Sequence, residues 1–377
     1  MNQSPVFYAE EAVRRVLSWT LVNEAVEEAL KAVAAQSRSE GCEGELSGGQ
    51  ECSNPKSYVS QPMRSCTKAG SEPGQMLFTM PAFVGNYRLT AGGAAGGGGG
   101  GDASKTPRST LACKLVTSFR GNRDREPPLP SISANILLFN VQTGSLETIM
   151  AGTDITTWRT ASASVVATKY LYFRRFGPCA EHELEINVAI IGCGVQGKIH
   201  ATAMCENFKV KQLNLYNRTE SRATQLAAQL RQRLVNSGLD TVPNIVVCST
   251  ARAAVHEANV ICVATYSRDP LINAEDLGRK RPIHINAIGA GEVHFGEVST
   301  DIYQQSKVYV DSMANADQEL RDFPAPIVGE VGAVINSGNI PESLAITVFQ
   351  SMGMASEDAC VAEAVLSALQ SETRNSD

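Results

Sequence analysis

The chain has 377 residues, which at roughly 150 residues per domain suggests two domains with long connections. Hydrophobic residues make up 43% and charged residues 19%, and 39 acidic against 33 basic residues leave a net charge of −6. This charge argues against a nucleic-acid partner held by a general basic field, and the short apolar runs argue against a membrane span.

The N-terminal segment and the cysteines favour a reduced, cytoplasmic protein. Residues 1–11 contain acidic residues and lack a basic stretch followed by an apolar one, so no secretory signal is predicted. The ten cysteines are scattered without a C-x-x-C pair. Their spacing indicates neither a disulfide framework nor a metal site, although pairing of some cysteines stays open.

The residue patterns between 10 and 151 predict a helical region, two loops and a set of strands. Apolar residues recur at helical spacing over 10–35, which predicts an amphipathic helical region, and the Ser, Gly and Glu composition of 36–56 predicts a mobile loop. Six consecutive glycines, 96–101, favour a second flexible loop over about 91–110. Strands are predicted in an order typical of an antiparallel meander at 76–84, 111–119, 134–140 and 147–151.

The character of the sequence changes after Asp154. Residues 156–173 lack Gly and Pro, which predicts a helix that leads into a linker. From Ile186 onward, alternating strand and helix patterns predict a parallel, doubly wound sheet, followed by a last helix at 347–370. The strands of this sheet are predicted at 188–191, 212–216, 245–248, 260–264, 283–288 and 307–310.

The strongest local motif is a buried strand that runs into G-x-G-x-x-G and then into a helix. Gly192 allows a tight turn, Gly194 lets the backbone approach a pyrophosphate, and Gly197 lets the helix pack closely on the strand. Val195 and Gln196 stand at the start of that helix, where free N–H groups and the helix dipole favour phosphates. The motif in this context predicts a dinucleotide site.

The residues after the next strand indicate which dinucleotide binds. NAD enzymes place an Asp or Glu there to accept from the ribose 2′-hydroxyl, whereas this chain has Asn217, Arg218 and Thr219, with Arg222 one turn later. An amide, a hydroxyl and guanidinium groups suit a 2′-phosphate. NADPH is therefore favoured over NADH, with solvated helix arginines beside Glu220 as the alternative interpretation.

Several segments, in order and at similar spacing, resemble the ornithine cyclodeaminase and mu-crystallin family. Besides the glycine turn with Gln196 and His200, they are ITTWRTASASVVATK (155–169), INAIG (285–289), VYVDS (308–312), FQSMGMASED (349–358) and, more weakly, QPMR (61–64) and CKLVT (113–117).

The resemblance implies an α/β protein of two domains. A Rossmann-type NAD(P)-binding domain with a doubly wound parallel sheet, 156–344, is inserted into a smaller α+β substrate-binding and dimerisation domain. The smaller domain is formed by 1–155 and by the returning C-terminal segment, 345–377. The meander, the alternation and the last helix agree with this arrangement.

The resemblance also implies substrate contacts. Arg64 matches the position that binds the substrate carboxylate, for which a bidentate guanidinium is well suited, and a surface Arg is the alternative. Lys114 stands in an apolar strand, where a charge is costly without a partner. By resemblance Lys114 contacts substrate and handles the proton, and a strand-edge Lys that reaches water is the alternative.

Further positions are implied in the same way. Arg159 matches a position near the cofactor phosphates and substrate, or is a helix-surface Arg. Ser131 matches a contact on the nicotinamide side of the cofactor, or is a turn residue. Glu319 matches an acidic residue that lines the substrate cleft. Asp311 ends a strand at the edge where ligands of open α/β sheets bind, or is a helix N-cap.

One segment departs from the cyclodeaminase pattern. Two residues after the last glycine of INAIG, cyclodeaminases carry an Asp that serves as base and proton relay during ring closure, and this chain has Gly291. Without that carboxylate, cyclodeamination loses a central group. Glu292 and His294 follow, and they leave the substrate open.

Together these features favour an NADPH-dependent reductase of cyclic ketimines or related imino acids that works as a homodimer. Arg64 would fix the substrate carboxylate, and Lys114 or a nearby water would supply the proton for the C=N bond. An ornithine cyclodeaminase or amino-acid dehydrogenase that uses NAD is one alternative. An NADPH-dependent thyroid-hormone carrier, binding iodothyronine without significant catalysis, is another that the resemblance implies.

Overall fold

The computed structural model describes residues 4–40, 57–70, 74–90, 105–238, 242–278, 282–289 and 295–376. The chain divides into two compact units. The first unit comprises Met1–Arg159 and Met354–Asp377, and the second unit comprises Thr160–Gly353.

The helices and strands have the following bounds. The strands are β1 (Val6–Tyr8), β2 (Tyr58–Ser60), β3 (Ser65–Lys68), β4 (Gln75–Thr90), β5 (Lys105–Phe119), β6 (Ile132–Phe139), β7 (Leu146–Ala151), β8 (Ile186–Ile191), β9 (Val210–Tyr216), β10 (Asn244–Val247), β11 (Val260–Val263), β12 (Ile283–Ala287), β13 (Lys307–Val310), β14 (Ile327–Glu330) and β15 (Ile346–Gln350). The helices are α1 (Glu10–Val16), α2 (Trp19–Glu40), α3 (Thr153–Leu171), α4 (Ala180–Glu183), α5 (Val195–Asn207), α6 (Glu220–Asn236), α7 (Ala251–Val255), α8 (Thr300–Gln305), α9 (Met313–Glu319), α10 (Val331–Ser337) and α11 (Ala355–Ser376).

The first unit is built on a mostly antiparallel sheet with the strand order β1-β7-β6-β5-β4-β2, in which β3 also pairs with β4. Strands β4 to β7 pair antiparallel in sequence, which confirms the predicted meander. Helices α2 and α11 pack on each other and on β4, and α11 also packs on β5. Alternate residues of β5 point to the buried face of the sheet, among them Ala112, Lys114 and Val116.

The helical region predicted at 10–35 is confirmed and forms two helices, because the chain breaks between α1 and α2. Leu17 has extended backbone angles, and the Ser18 hydroxyl accepts the N–H of Leu21 (3.3 Å) at the start of α2. Helix α2 continues to Glu40, so the loop predicted at 36–56 begins too early. The rest of that loop, 41–56, lies outside the described residues.

The loop predicted at about 91–110 is also too long. Strand β4 extends to Thr90 and β5 begins at Lys105, and these two residues are register partners. The Thr, Arg and Ser residues at 106–110 form strand because this part of β5 pairs across the hairpin with β4. The polyglycine run, 96–101, lies outside the described residues.

The second unit contains a parallel sheet with the strand order β10-β9-β8-β11-β12-β15-β13-β14. Every neighbouring pair is parallel, which confirms the predicted sheet. The central strands β11 and β12 are buried along their whole length. Such continuous burial is typical of parallel strands that are covered on both faces, and it explains the apolar sequence of β11. The two polar residues of β12, His284 and Asn286, are buried with hydrogen bonds to each other, to Thr347 and to Thr168.

The helix predicted at 347–370 is wrong at its start. Ile346–Gln350 is strand β15, which lies between β12 and β13, and α11 begins only at Ala355. A short apolar run has no periodicity that separates strand from helix, and here pairing on both sides selects the strand. The second unit therefore extends to Gly353 rather than to the predicted boundary at 344.

Asp311 fixes the chain where it leaves β15. Its buried carboxylate accepts the N–H groups of Met352 (2.9 Å) and Gly353 (2.7 Å). The N-cap of α9 is Ser312, whose hydroxyl accepts the N–H of Asn315 (3.3 Å). The alternative that Asp311 caps this helix is therefore wrong, and its carboxylate instead satisfies buried backbone donors.

The described part of the chain has no helix with the length and hydrophobicity of a membrane span. Its eight cysteines are free thiols. Within the same residues, no group of three or more His, Cys, Asp or Glu side chains is placed to hold a metal ion.

Candidate functional site

The glycine turn after β8 meets three different steric demands. Gly192 has φ +99°, and a Cβ there would lie 2.5 Å from the carbonyl oxygen of Ala264. A Cβ on Gly197 would collide with the carbonyl of Gly192. A Cβ on Gly194 would meet none of the described residues within 4 Å. The first and third glycines therefore let the turn close, and the second leaves space beside the backbone for a ligand.

The N-terminus of α5 lies at this open space. Gly194 is its N-cap, and its carbonyl accepts the N–H of Lys198 (2.9 Å). Val195 is 71% exposed and Gln196 is half-buried in the first turn. Backbone N–H groups and the positive end of the helix dipole make such a terminus suitable for a pyrophosphate. These features fit the predicted dinucleotide.

The end of β9 is joined to the glycine turn by Asn217. The side-chain oxygen of Asn217 accepts the N–H of Cys193 (3.0 Å), and its amide donates to the carbonyl of Thr219 (2.9 Å). Arg218, Thr219 and Arg222 are exposed. Asn217 thus holds the turn in place, and the two guanidinium groups are accessible to a ligand.

The first unit buries two cations with two carboxylates, and we call Lys114, Arg159, Glu357 and Asp358 the ionic cluster. Lys114 is 2% exposed and its Nζ pairs with Asp358. Arg159 donates from Nε to Asp358 (3.2 Å) and pairs with Glu357 (3.1 Å). Both carboxylates lie in the first turn of α11, where the helix dipole stabilises negative charge.

The environment of Lys114 lowers the pKa of its amine. Burial is the largest cause, the nearby charges of Arg159 and Arg64 act in the same direction, and Asp358 acts against them. The resulting pKa is about 8. An amine with this pKa gains and loses a proton near neutral pH, as a general acid or base requires.

Arg64 lies between β2 and β3 in a segment that is tied to the start of α11. It is half-buried, and its charge lowers the pKa of Lys114. The side-chain oxygen of Gln61 accepts the N–H of Ser356 (3.1 Å), one residue before the acidic pair of the ionic cluster. This contact fixes the segment that carries Arg64 relative to the cluster.

The first unit thus brings together Arg64, Lys114 and Arg159 from the residues singled out in the sequence. The alternatives of a strand-edge Lys114 and a helix-surface Arg159 are wrong, because both side chains are buried. Glu357 and Asp358 were missed, although the segment FQSMGMASED that contains them was recognised. Two adjacent acids directly before the apolar run Ala359–Ala362 were the signal that could have found them.

The remaining residues that the sequence pointed to are not part of the ionic cluster. Glu319 is the half-buried last residue of α9, in the second unit. Ser131 precedes β6, and its carbonyl accepts the N–H of Phe119 (2.8 Å). Gly291, Glu292 and His294 lie outside the described residues.

Comparison with known proteins gives a family and a fold. The family model "Ornithine cyclodeaminase/mu-crystallin family" matches residues 102–373. The "Ketimine reductase mu-crystallin" of Rattus norvegicus is 31% identical over 314 residues, which cover 82% of this chain and 86% of the relative. A "Delta(1)-pyrroline-2-carboxylate reductase" of Bacillus cereus is 29% identical over 62% of this chain and 70% of its own.

A solved archaeal alanine dehydrogenase dimer with bound NAD has the same fold. It superposes with a TM-score of 0.72 at 23% identity, over 98% of this chain and 97% of that chain. The two-unit α/β fold expected from the sequence is confirmed.

Substitution of Lys114 by Met should destabilise the first unit by about 3–5 kcal/mol, because it leaves a buried carboxylate without its cation. The double variant Lys114→Met/Asp358→Asn should lose less than the sum of its single variants. Urea unfolding would measure this, followed by tryptophan fluorescence. The two tryptophans of the chain, Trp19 and Trp158, both lie in the first unit and stack at 4.3 Å.

Lys68→Met is the matched control, because Lys68 is exposed on β3 of the same sheet. It should change the free energy of unfolding by no more than about 0.5 kcal/mol. Equal effects of the two Lys→Met substitutions, or strict additivity of the Lys114 and Asp358 effects, would contradict a coupled buried cluster.

Proposed function

The chain belongs to the ornithine cyclodeaminase/mu-crystallin family, and on this premise we propose that it is an NADPH-dependent reductase of cyclic ketimines or related imino acids. The observation that carries this proposal is the buried amine of Lys114, with a pKa of about 8, held by Asp358 near the charge of Arg64. Relatives named as reductases of ketimines and of pyrroline-2-carboxylate support it.

In this proposal the first unit binds and protonates the substrate. Arg64 binds the carboxylate through two parallel hydrogen bonds. The ammonium of Lys114 donates its proton to the imine nitrogen, which makes the imine carbon more electrophilic. Asp358 orients the ammonium, and solvent returns the proton after each turnover. When bound, the nicotinamide supplies the hydride that this carbon accepts.

The second unit binds the cofactor in this proposal. The N-terminus of α5 takes the pyrophosphate beside Gly194. Arg218 and Arg222 bind the 2′-phosphate, which favours NADPH over NADH, because residues 217–219 contain no carboxylate that would repel it. Arg159 and Ser131 remain proposed cofactor contacts, and Glu319 remains a proposed substrate contact.

We further propose a homodimer through the sheet of the first unit. The face of the sheet away from the ionic cluster carries half-buried apolar side chains in cross-strand register. Pro81, Cys113 and Leu137 form one row, and Phe83, Leu111 and Phe139 form the next. Contiguous apolar surface of this kind is typical of a subunit interface.

The free thiols agree with the proposed cytoplasmic location.

One assay separates the proposed function from its alternatives. Loss of NADPH absorbance would be followed across cyclic ketimines and ornithine, with NADH as the comparison. Reduction of ketimines with NADPH supports the proposal. Conversion of ornithine with catalytic NAD would indicate cyclodeamination, and iodothyronine binding without turnover would indicate a carrier.

Lys114→Ala should lower kcat by about 10²–10⁴-fold, because the proton donor is lost. Lys114→Arg should also be slow, since a guanidinium keeps the charge but does not release its proton near neutral pH. In the wild type, kcat/KM should fall as the pH rises above about 8, where Lys114 becomes neutral. Steady-state kinetics from about pH 6 to about pH 10 would measure this, and wild-type rates in both variants would refute the assignment.

Arg64→Ala should instead raise KM, by roughly tenfold or more, because a charge-assisted pair with the substrate carboxylate is removed. Arg125→Ala is the control, since Arg125 is an exposed residue of the same unit. A lower kcat with unchanged KM in Arg64→Ala would count against carboxylate binding.

Arg218→Ala should weaken NADPH binding roughly tenfold and NADH binding little, because only NADPH carries the 2′-phosphate. Fluorescence titration with each nucleotide would measure the two Kd values. Arg252→Ala, at a side chain that is 63% exposed in the same unit, should change neither. Equal losses for both nucleotides would show that Arg218 does not select the phosphate.

Light scattering should give twice the chain mass for the wild type, and Leu137→Arg should shift the protein toward monomer by burying a charge in the proposed interface. Gln142→Arg is the control, because Gln142 is exposed in the turn between β6 and β7. A monomeric wild type would contradict the proposed dimer.

A further inference from the structure

Glu297 is a buried carboxyl of the second unit that stands outside the recognised sequence motifs. It is 3% exposed. Its carboxylate accepts hydrogen bonds from the hydroxyl of Thr265 and from the backbone N–H groups of Thr265, Ser267 and Gly289. Its own carbonyl accepts the N–H of Leu271 (2.8 Å). One side chain therefore satisfies donors from separate segments of the chain.

These donors lie on the loops that follow two adjacent strands. Thr265 and Ser267 follow β11, and Gly289 follows β12. Both strands are parallel, so their carboxyl ends meet at the edge of the sheet where ligands of open α/β folds bind. A Cβ on Gly289 would overlap the carboxylate of Glu297, so this glycine leaves the space that the carboxylate occupies.

Thr265 also contacts the glycine turn. A Cβ on Gly192 would lie 2.6 Å from the Thr265 methyl carbon. The turn is thus held from two sides, by Thr265 after β11 and by Asn217 after β9, whose side chain accepts the N–H of Cys193. Glu297 is bonded to the first of these two supports.

The charge of Glu297 is costly. Burial raises the pKa of its carboxyl from 4.5 to about 7, although the hydrogen bonds act in the opposite direction. Because the folded pKa lies above the unfolded one, folding stability falls as the pH rises from about 4.5 through about 7. A neutral side chain would avoid this cost, so the acid does not serve stability at neutral pH.

The titratable groups near Glu297 among the described residues include a buried tyrosine. Tyr303 of α8 is the titratable neighbour from the helix side, and its hydroxyl donates to Gln350 (2.7 Å). Arg268, on the loop after β11, is exposed. His294 lies outside the described residues.

We propose that Glu297 is a positioning residue of the dinucleotide site. Its carboxylate binds the loops after β11 and β12 together and holds Thr265 in contact with Gly192. The glycine turn therefore has the conformation that binds the pyrophosphate before the cofactor arrives. This inference rests on the proposed function. The ionised carboxylate is the form that acts, because it accepts from every donor around it, whereas a protonated carboxyl or an amide presents a donor to some of them.

Glu297→Gln tests the proposal by titration of nucleotide fluorescence with NADH from about pH 6 to about pH 9. NADH is the main probe because the 2′-phosphate of NADPH titrates near pH 6 by itself. The variant should bind NADH about tenfold more weakly at about pH 8. The wild-type Kd should rise as the pH falls from about 8 to about 6, and the Kd of the variant should not. A merely structural role would not produce this difference in pH profile.

Glu275→Gln is the matched control, since it makes the same substitution at an exposed residue of the second unit. Circular dichroism would establish that the variants fold. If Glu297→Gln does not fold, Thr265→Val keeps the side-chain shape and removes the hydroxyl that donates to Glu297. It should also weaken NADH binding severalfold, and Thr265→Ser should weaken it less.

Equal Kd values and pH profiles for wild type, Glu297→Gln and Thr265→Val would overturn this inference while leaving the proposed function intact. A wild-type chain that binds neither NADH nor NADPH would instead contradict the proposed function, and this inference with it.

Discussion

Two cations and two carboxylates are buried together in the first unit, and none of them could be buried alone. A single ion withdrawn from water costs several kcal/mol, which only a partner with good geometry offsets. Lys114 comes from β5, Arg159 from α3, and Glu357 and Asp358 from α11. The pairing therefore requires the C-terminal helix to return to the sheet of the first unit after the second unit is complete. It also gives the amine of Lys114 acid–base chemistry near neutral pH.

The second unit also buries a charged side chain, and here the charge lowers the folding stability. The glycines of its turn have no side chains that could hold the turn in place. The side chains of Asn217 and Thr265 support it instead. Glu297 supports Thr265 in turn, at a cost in stability above its pKa of about 7. In both units a buried charge is kept where an apolar side chain would be less costly. Such exceptions to stability are expected at functional sites.

The sequence predicted the parts of the fold that carry strong local signals. The meander, the parallel sheet and the steric roles of Gly192 and Gly197 follow from alternation, apolar runs and glycine spacing. Sequence patterns did not predict the elements and contacts that depend on pairing between distant parts of the chain. Residues 346–350 (ITVFQ) are mostly β-branched and aromatic, a strand signal that the helical assignment overlooked, and they pair with β12 and β13 on both sides. Glu357, Asp358 and Glu297 were missed, because a sequence does not show which buried cation or backbone donor a carboxylate will meet.

Transfer of deuterium from NADPH that carries two deuterium atoms at the nicotinamide C4 position to Δ1-pyrroline-2-carboxylate tests the central claim most directly. Mass spectrometry of the product would locate the label. Hydride transfer to the imine carbon predicts proline with a single deuterium on the carbon that bears the carboxylate, formed by the wild type and almost absent with Lys114→Met. Unlabelled product, or no consumption of NADPH across cyclic ketimines, would contradict the account.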